Sequence, residues 1–436
     1  MQKYIALLLI VGFLNAPAHG QGSEEQPDYS QERTVAAPLS ENAQAIVAGL
    51  NGFSLDIYKA TLDPAKNHFI SPASISTAFG LAYGGAEGQT KQEIAKVLRY
   101  PLDREAFEPA MGELLSTMQI DAKGRLMTVN NALWLQDGLP VIQGWIERMD
   151  RHYGAGVKWV DYNADPDAAR IKINDLVASK TNDRIKDLLG PPDVKHDTKS
   201  VLVNTIFFKA DWGAPFSEAA TKVEPFRMLE GEKVETKLMN LTGYFQTVKS
   251  KNVQAIRLPY RGGETEMVIF LPKSHKKLNA FENILTGEKL EGLLEELDNS
   301  EHRDVILTLP KFQLEWKEDV VPALMDLGMA VALSNHADFS GMKTIDYNSS
   351  DSNDWAIKID AVIHQTFLDA EEKGTEAAAA TAITGIIITG ARSGPPPPPP
   401  VIFRADHPFM FLIRDRRTGA IIFMGRYVKP EPVSAD

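Results

Sequence analysis

No cysteine occurs anywhere in the chain. That absence excludes disulfides, thiolate metal sites, a cysteine nucleophile and a lipid anchor on an N-terminal cysteine. The fold must therefore be held together by burial. Concentrated basic charge is missing as well. With 46 Lys and Arg against 58 Asp and Glu the net charge is −12, which argues against nucleic acid and against an anionic membrane as partners, since both demand clustered Lys and Arg. The small group Lys273, His275, Lys276 and Lys277 reads as a solvated loop, and there is no sustained basic face. Catalytic signatures are equally scarce. There is no GxSxG elbow, HExxH, Walker loop or GxGxxG, and Gly84, Gly85 and Gly88 lack a lysine at phosphate-loop spacing. The nine histidines are scattered without metal-ligand spacing. The chain is expected not to be an enzyme and to need no metal or cofactor, although a Ser/His/Asp triad would assemble in space and escape such a search.

What is present begins with material for a large core: 44% of the residues are hydrophobic and 24% charged. Lys3, the apolar run Ile5 to Leu14, and Ala16, Ala18 and Gly20 read as a secretory leader over residues 1–20, too short to span a bilayer. Residues 21–38 are polar and read as a disordered lead-in, so the folded part is expected over 39–431, secreted or periplasmic. No composition break divides residues 45 to 370, which predicts one domain despite the length. Ile46, Leu50, Phe53 and Ile57 recur at helical spacing, and a second helix is expected from about Ala168 to Leu189. Strand-like runs follow at Val201 to Phe208, Met267 to Leu271, Val305 to Leu309, Phe409 to Ile413 and Ile421 to Met424. The last two flank a polar turn ending in Gly419 and should form a hairpin. Helices mostly first and strands mostly later predict an α+β fold with large antiparallel sheets. Asn240 and Asn348 begin sequons that matter only in a glycosylating pathway.

The most unusual stretch lies between Glu372 and Pro408. Gly374, Thr375 and Glu376 lead into Ala377, Ala378, Ala379, Ala380 and Thr381, then come three isoleucines from Ile386 and a proline block from Pro395 to Pro400. The first half is small and β-branched and could pair into a sheet; the second lacks backbone donors and must stay outside one as an extended spacer.

Those flanks, GTEAAAAT and FRADHPFMFLIRDRRTGAIIFMGR, resemble the reactive loop and C-terminal signature of the serpins, the serine protease inhibitors. The likeness extends from about residue 45 to Pro430. Asn67, Phe69, Ser71, Pro72 and Ser74 are similar to the family motif heading its buried central helix. Asn204, Phe207, Phe208, Lys209, Trp212 and Phe216 resemble its strand-and-turn motif, and LPYRGGETEMVIFLP, LPKF and DFSGM fit the same template. The resemblance implies the serpin fold, with helices on large, mostly antiparallel sheets and an exposed loop over about 373–400. It also implies a monomeric inhibitor that traps a serine protease covalently, cysteine endopeptidases being a second class, by loop cleavage and insertion into the main sheet. A non-inhibitory carrier that is merely cleaved is the alternative.

Carried over by residue, the resemblance makes Ser71, Ser74, Asn204 and His364 a polar cluster, the shutter, beneath the point where the sheet parts. Trp212 would stand at the breach, where insertion starts. Glu372 and Gly374 through Thr381 would be the hinge. In an inserted strand Thr375, Ala377, Ala379, Thr381 and Ile383 would face inward. All are small or apolar, as entry requires. The family's spacing from Glu372 places the scissile bond at Ile388–Thr389, suited to elastase-like or subtilisin-like proteases. Arg392–Ser393, four residues further on, is the trypsin-directed rival. The isoleucine run is also expected to favour insertion into a neighbour's sheet on heating.

Overall fold

The computed structural model describes residues 38–154, 156–181, 183–342, 357–375 and 398–430. Residues 1–37, which hold the expected leader and most of the expected lead-in, Asn348, the expected hinge residues Glu376 through Thr381, and both candidate scissile bonds, Ile388–Thr389 and Arg392–Ser393, lie outside the described residues.

The first helix, Glu41–Ala60, starts where the Ser40 side chain accepts the Ala43 amide, and its Ile46, Leu50, Phe53 and Ile57 stripe is buried as the spacing requires. The second predicted helix is shorter than its apolar pattern suggested. It runs Pro166–Lys180, capped by Asp165, and stops where the Thr181 hydroxyl turns back onto the Val177 carbonyl at 2.8 Å. Ile185, Leu188 and Leu189 are buried from an irregular segment, so burial rather than helix produced their periodicity.

Two sheets carry the fold. The nine-stranded sheet runs in the order His68–Ile70, Ile421–Tyr427, Phe409–Asp415, Thr265–Pro272, Val253–Pro259, Lys233–Lys249, His302–Pro310 and Val401–Arg404, with Lys222–Arg227 also on Lys233–Lys249. The predicted C-terminal hairpin is present, and Gly419 turns it with φ +75°. The seven-stranded sheet runs Phe312–Asp319, Ala361–Ala370, Gly374–Thr375, Ser200–Asp211, Arg125–Gln136 and Ile120–Ala122, with Val157–Val160 also on Arg125–Gln136. Every strand read from the sequence falls within an observed strand.

The helix Pro72–Tyr83 is buried along its whole length and touches Ile421–Tyr427 of one sheet and Arg125–Gln136 and Ser200–Asp211 of the other. Its small residues make that passage fit. A Cβ on Gly80 would come within 2.8 Å of the Tyr153 hydroxyl oxygen, closer than packed atoms tolerate. Phe69, just ahead of this helix, stacks on Phe423 at 4.9 Å between ring centres. The helix N-terminus meets the seven-stranded sheet at His364, whose Nε2 accepts the Ser71 amide.

Candidate functional site: a parted seam in the seven-stranded sheet

The strands Ala361–Ala370 and Ser200–Asp211 are neighbours, yet they pair directly at one end only. There they run parallel from Ala361–Val201 to Gln365–Thr205. At the other end the two residues Gly374 and Thr375 stand between them, Thr375 opposite Ala370 on one side and Ala210 on the other, Gly374 opposite Asp211. Among the described residues no register pair crosses the seam at 206–208 and 366–368. The outer edges are laddered along the seam, Ile363–Ala370 to Phe312–Asp319 and Ser200–Ala210 to Arg125–Gln136. Interior backbone edges left this way are a template for an added strand.

At the closed end stand the residues named from the sequence. Ser71 caps the buried helix, its hydroxyl accepting the Ser74 amide at 3.2 Å and donating to the Ile422 carbonyl at 2.8 Å. Its own amide donates to His364 Nε2 at 3.0 Å. Because Nε2 accepts, the ring proton sits on Nδ1 and the imidazole is neutral. Burial first, and then the neighbouring His68, lowers the His364 pKa to about 3. His364 is the register partner of Asn204, and Asn204 is that of Asn131, whose side chain accepts the Asn204 amide. His364 Nδ1, Ser74 Oγ and Asn204 Oδ1 are buried with no hydrogen-bond partner among the described residues. The four predicted residues therefore share one small region, and Asn131 joins them.

At the open end Trp212 holds the turn that leads into Gly374. Its backbone amide donates to the Lys373 carbonyl at 2.7 Å and its indole Nε1 to the Glu371 carbonyl at 2.8 Å, while the Phe216 amide donates to the Glu372 carbonyl at 2.7 Å. Three successive carbonyls are thus satisfied from one segment. The ring of Trp212 stacks on Tyr260 at 4.5 Å between centres, and the Tyr260 hydroxyl meets Thr375 Oγ1 at 2.9 Å. Thr375 is fully buried, and Gly374 has no room for a side chain, since a Cβ would lie 2.2 Å from the Ala210 carbonyl oxygen. The acidic pair is tied down too. Lys311 Nζ lies 3.2 Å from each of Glu371 Oε1 and Glu372 Oε2, and the Thr221 hydroxyl donates to Glu372 at 2.9 Å. Burial works to raise the Glu372 carboxyl, but its own amide, Thr221 and Lys311 together hold it below its ordinary value.

Tyr260, Asn131, Lys311, Thr221 and Phe216 as an amide donor were not singled out from the sequence. Tyr260 and Lys311 sit inside motifs already noted, LPYRGG and LPKF, and their polar ends were the available signal. Asn131 and Thr221 offer none, because their importance comes from register and from a turn distant in sequence.

Comparison with known proteins agrees with this geometry. The family model for Serpin (serine protease inhibitor) matches residues 48–430. A serpin-like protein of Thermococcus kodakarensis is 35% identical over 412 residues, which is 94% of this chain and 92% of that one. Among solved structures, uncleaved ovalbumin superposes with a TM-score of 0.77 at 26% identity, covering 88% of this chain and all of that one. Serpin48 of the insect Tenebrio molitor superposes at 0.76 with 28% identity, covering 89% and 99%. A family match across the buried helix, both sheets and the seam places this chain in the serpins, a family of protease inhibitors.

Proposed function

We propose that this protein inhibits serine endopeptidases by suicide trapping, from a secreted or periplasmic location that the leader-like residues 1–20 support. The target's serine oxygen attacks the carbonyl of the scissile residue, the new amino terminus departs on the C-terminal fragment, and an acyl ester joins protease to inhibitor. The freed N-terminal side then enters the seam as a strand and carries the protease with it before water resolves the ester. The observation that carries this reading is the seam itself. Gly374 and Thr375 already occupy its upper end, so the strand that must extend has its first two residues seated.

Energetics identify what the segment behind Thr375 must satisfy. Each ladder bond contributes about 0.5 to 1.5 kcal/mol, against about 1 to 2 kcal/mol of backbone ordering per residue. Those terms nearly cancel, so side-chain burial and the relief of the one-sided edges must supply the drive. Ala377, Ala379, Thr381 and Ile383, which would face inward in an inserted strand that continues from Thr375, suit that demand. Ser71, Ser74, Asn204 and His364 would exchange hydrogen bonds as the lower seam opens, and their spare polar atoms allow that exchange without leaving a newly stranded donor.

Ile388–Thr389 as the cut directs the inhibitor at elastase-like or subtilisin-like proteases, and Arg392–Ser393 at trypsin-like ones. Incubation with an elastase and with a trypsin distinguishes the two. A denaturant-resistant adduct is expected with one of them, and sequencing the released C-terminal fragment should begin at Thr389 or at Ser393. Complete cleavage by both enzymes with no adduct contradicts the inhibitor reading and favours a carrier.

A further inference from the structure

Eight large hydrophobic side chains are exposed among the described residues, and three of them share one face of the nine-stranded sheet: Tyr244, Ile306 and Ile402, at 62%, 41% and 64% of full exposure. Strand register puts them there. Ile306 is paired with Ile402 on one side and with Thr242 on the other, and Tyr244 is paired with Asp304, two residues from Ile306. Paired residues, and alternate residues along a strand, lie on the same face. The intervening Val305, Leu307 and Phe403 belong to the other face and are buried in the main core. The apolar strip is therefore on the outward face, where a sheet wetted on one side ordinarily carries polar residues. Its border needs nothing further. In the next row of the same face the Thr308 hydroxyl donates to Asn240 at 2.8 Å, and Arg404 is ion-paired with Glu224 and Asp406. What is left uncovered is the strip itself, and an exposed apolar patch with a satisfied polar rim is the usual form of a protein contact surface.

Its position says what covers it. Ile402 belongs to Val401–Arg404, the strand that follows the exposed Pro398–Pro400, and both candidate cuts lie within about a dozen residues upstream of Val401. A chain that short reaches at most about 40 Å when extended, and a folded domain of roughly 230 residues is itself about 45 Å across. A protease gripping either bond is therefore brought over this end of the sheet. We propose that Tyr244, Ile306 and Ile402 form a second contact surface for the target protease, fitted to an apolar patch on the protease beside the cleft that holds the leaving side. The inference rests on the protease-trapping reading above and adds a surface to it. Because Val401–Arg404 lies on the leaving side of the cut, the strip stays behind when the esterified protease departs with the N-terminal side. It acts on encounter alone. It selects the protease and speeds inhibition, and has no part in the race between insertion and ester hydrolysis.

Kinetics separate those two roles. In the triple variant Tyr244→Thr/Ile306→Thr/Ile402→Thr every replacement is a β-branched residue suited to a strand, and circular dichroism melts check that the fold is kept. Variant and wild type are compared with whichever of elastase and trypsin gives a denaturant-resistant adduct, reading the second-order rate of inhibition and the number of inhibitor molecules consumed per enzyme inactivated. Inhibition should slow by about tenfold or more, since a few anchors carry most of an interface, while the stoichiometry stays the same. Ile171→Thr, which removes an exposed apolar side chain on the helix Pro166–Lys180 away from this face, should change neither. An unchanged rate in a folded triple variant would overturn the proposal, as would a faster one, which would mean that the strip shields the chain's own loop. A slower rate with a higher stoichiometry would also overturn it, because the substitutions would then act through the sheet and not through the encounter. If the wild type forms no adduct with either enzyme, the trapping reading itself fails and this surface fails with it.

Discussion

The two ends of the seam between Ala361–Ala370 and Ser200–Asp211 are built on opposite principles. The closed end is a direct parallel ladder over a buried helix cap, and three of its polar atoms, His364 Nδ1, Ser74 Oγ and Asn204 Oδ1, have no hydrogen-bond partner among the described residues. The open end has no direct ladder among the described residues, yet the turn Glu371–Gly374 and Thr375 are fastened by Trp212, Phe216, Tyr260, Thr221 and Lys311. In the proposed mechanism the strong fastening would sit where the loop enters, and the polar atoms without partners where the sheet would part. An added strand would then begin from a fixed point and advance toward the polar cluster.

The contrast can be broken most severely at Thr375. Thr375→Arg puts a cation into a fully buried position that bonds Tyr260, a burial costing several kcal/mol without a partner. Yield of denaturant-resistant adduct should fall on the order of tenfold, a change of about 1.4 kcal/mol in the competition between insertion and ester hydrolysis. The mutant should be cleaved as a substrate instead, as gel electrophoresis would show.

Acid should weaken the closed end next. His364 and His68 are both held neutral with pKa values of about 3, His364 by burial and then by His68, and His68 by burial and then by Arg426. The unfolded chain binds these protons near pH 6.5 and the folded one does not. Stability is then complete above that pH and falls as the pH drops from 6.5 toward 3, by about 1.4 kcal/mol per pH unit for each histidine. Urea unfolding at pH 7 and pH 5 measures the slope, and His364→Gln should make it shallower. An identical slope in that variant would contradict the assignment.

At the open end, Trp212→Phe removes the indole donor to the Glu371 carbonyl while keeping an aromatic ring over Tyr260. A cost of about 1 to 3 kcal/mol is expected, read as faster amide hydrogen exchange in the turn 371–375. Lys311→Ala should have the smallest effect, about 0.5 to 1 kcal/mol and reduced by salt, because that side chain is one-third exposed. If the lysine change proved larger than the tryptophan change, the turn would be held by charge and not by its carbonyl clamp.

Much of this was legible in the chain. The stripe of Glu41–Ala60, the hairpin closed by Gly419 and the main strands follow from periodicity and turn chemistry that act over a few residues. Ser71, Ser74, Asn204, His364 and Trp212 are singled out by motif likeness, and the structure brings the first four together. Two kinds of information were hidden. Register decided that Asn131 would meet Asn204, and a shift by one residue would have sent it to the other face. Contacts between segments far apart in sequence decided that Tyr260 would hold Thr375 and that Lys311 would hold Glu371 and Glu372. The helix end near Lys180 was misread because buried residues in an irregular segment mimic a helical stripe.

The central claim is that the intact fold holds a seam ready to accept its own loop, so filling that seam must stabilise it. Comparing the thermal midpoint of the protein before and after a single cut in the loop tests this most directly. The account predicts a midpoint higher by more than about 10 °C after cleavage, with both fragments retained. Equal midpoints for the cut and uncut forms would contradict it.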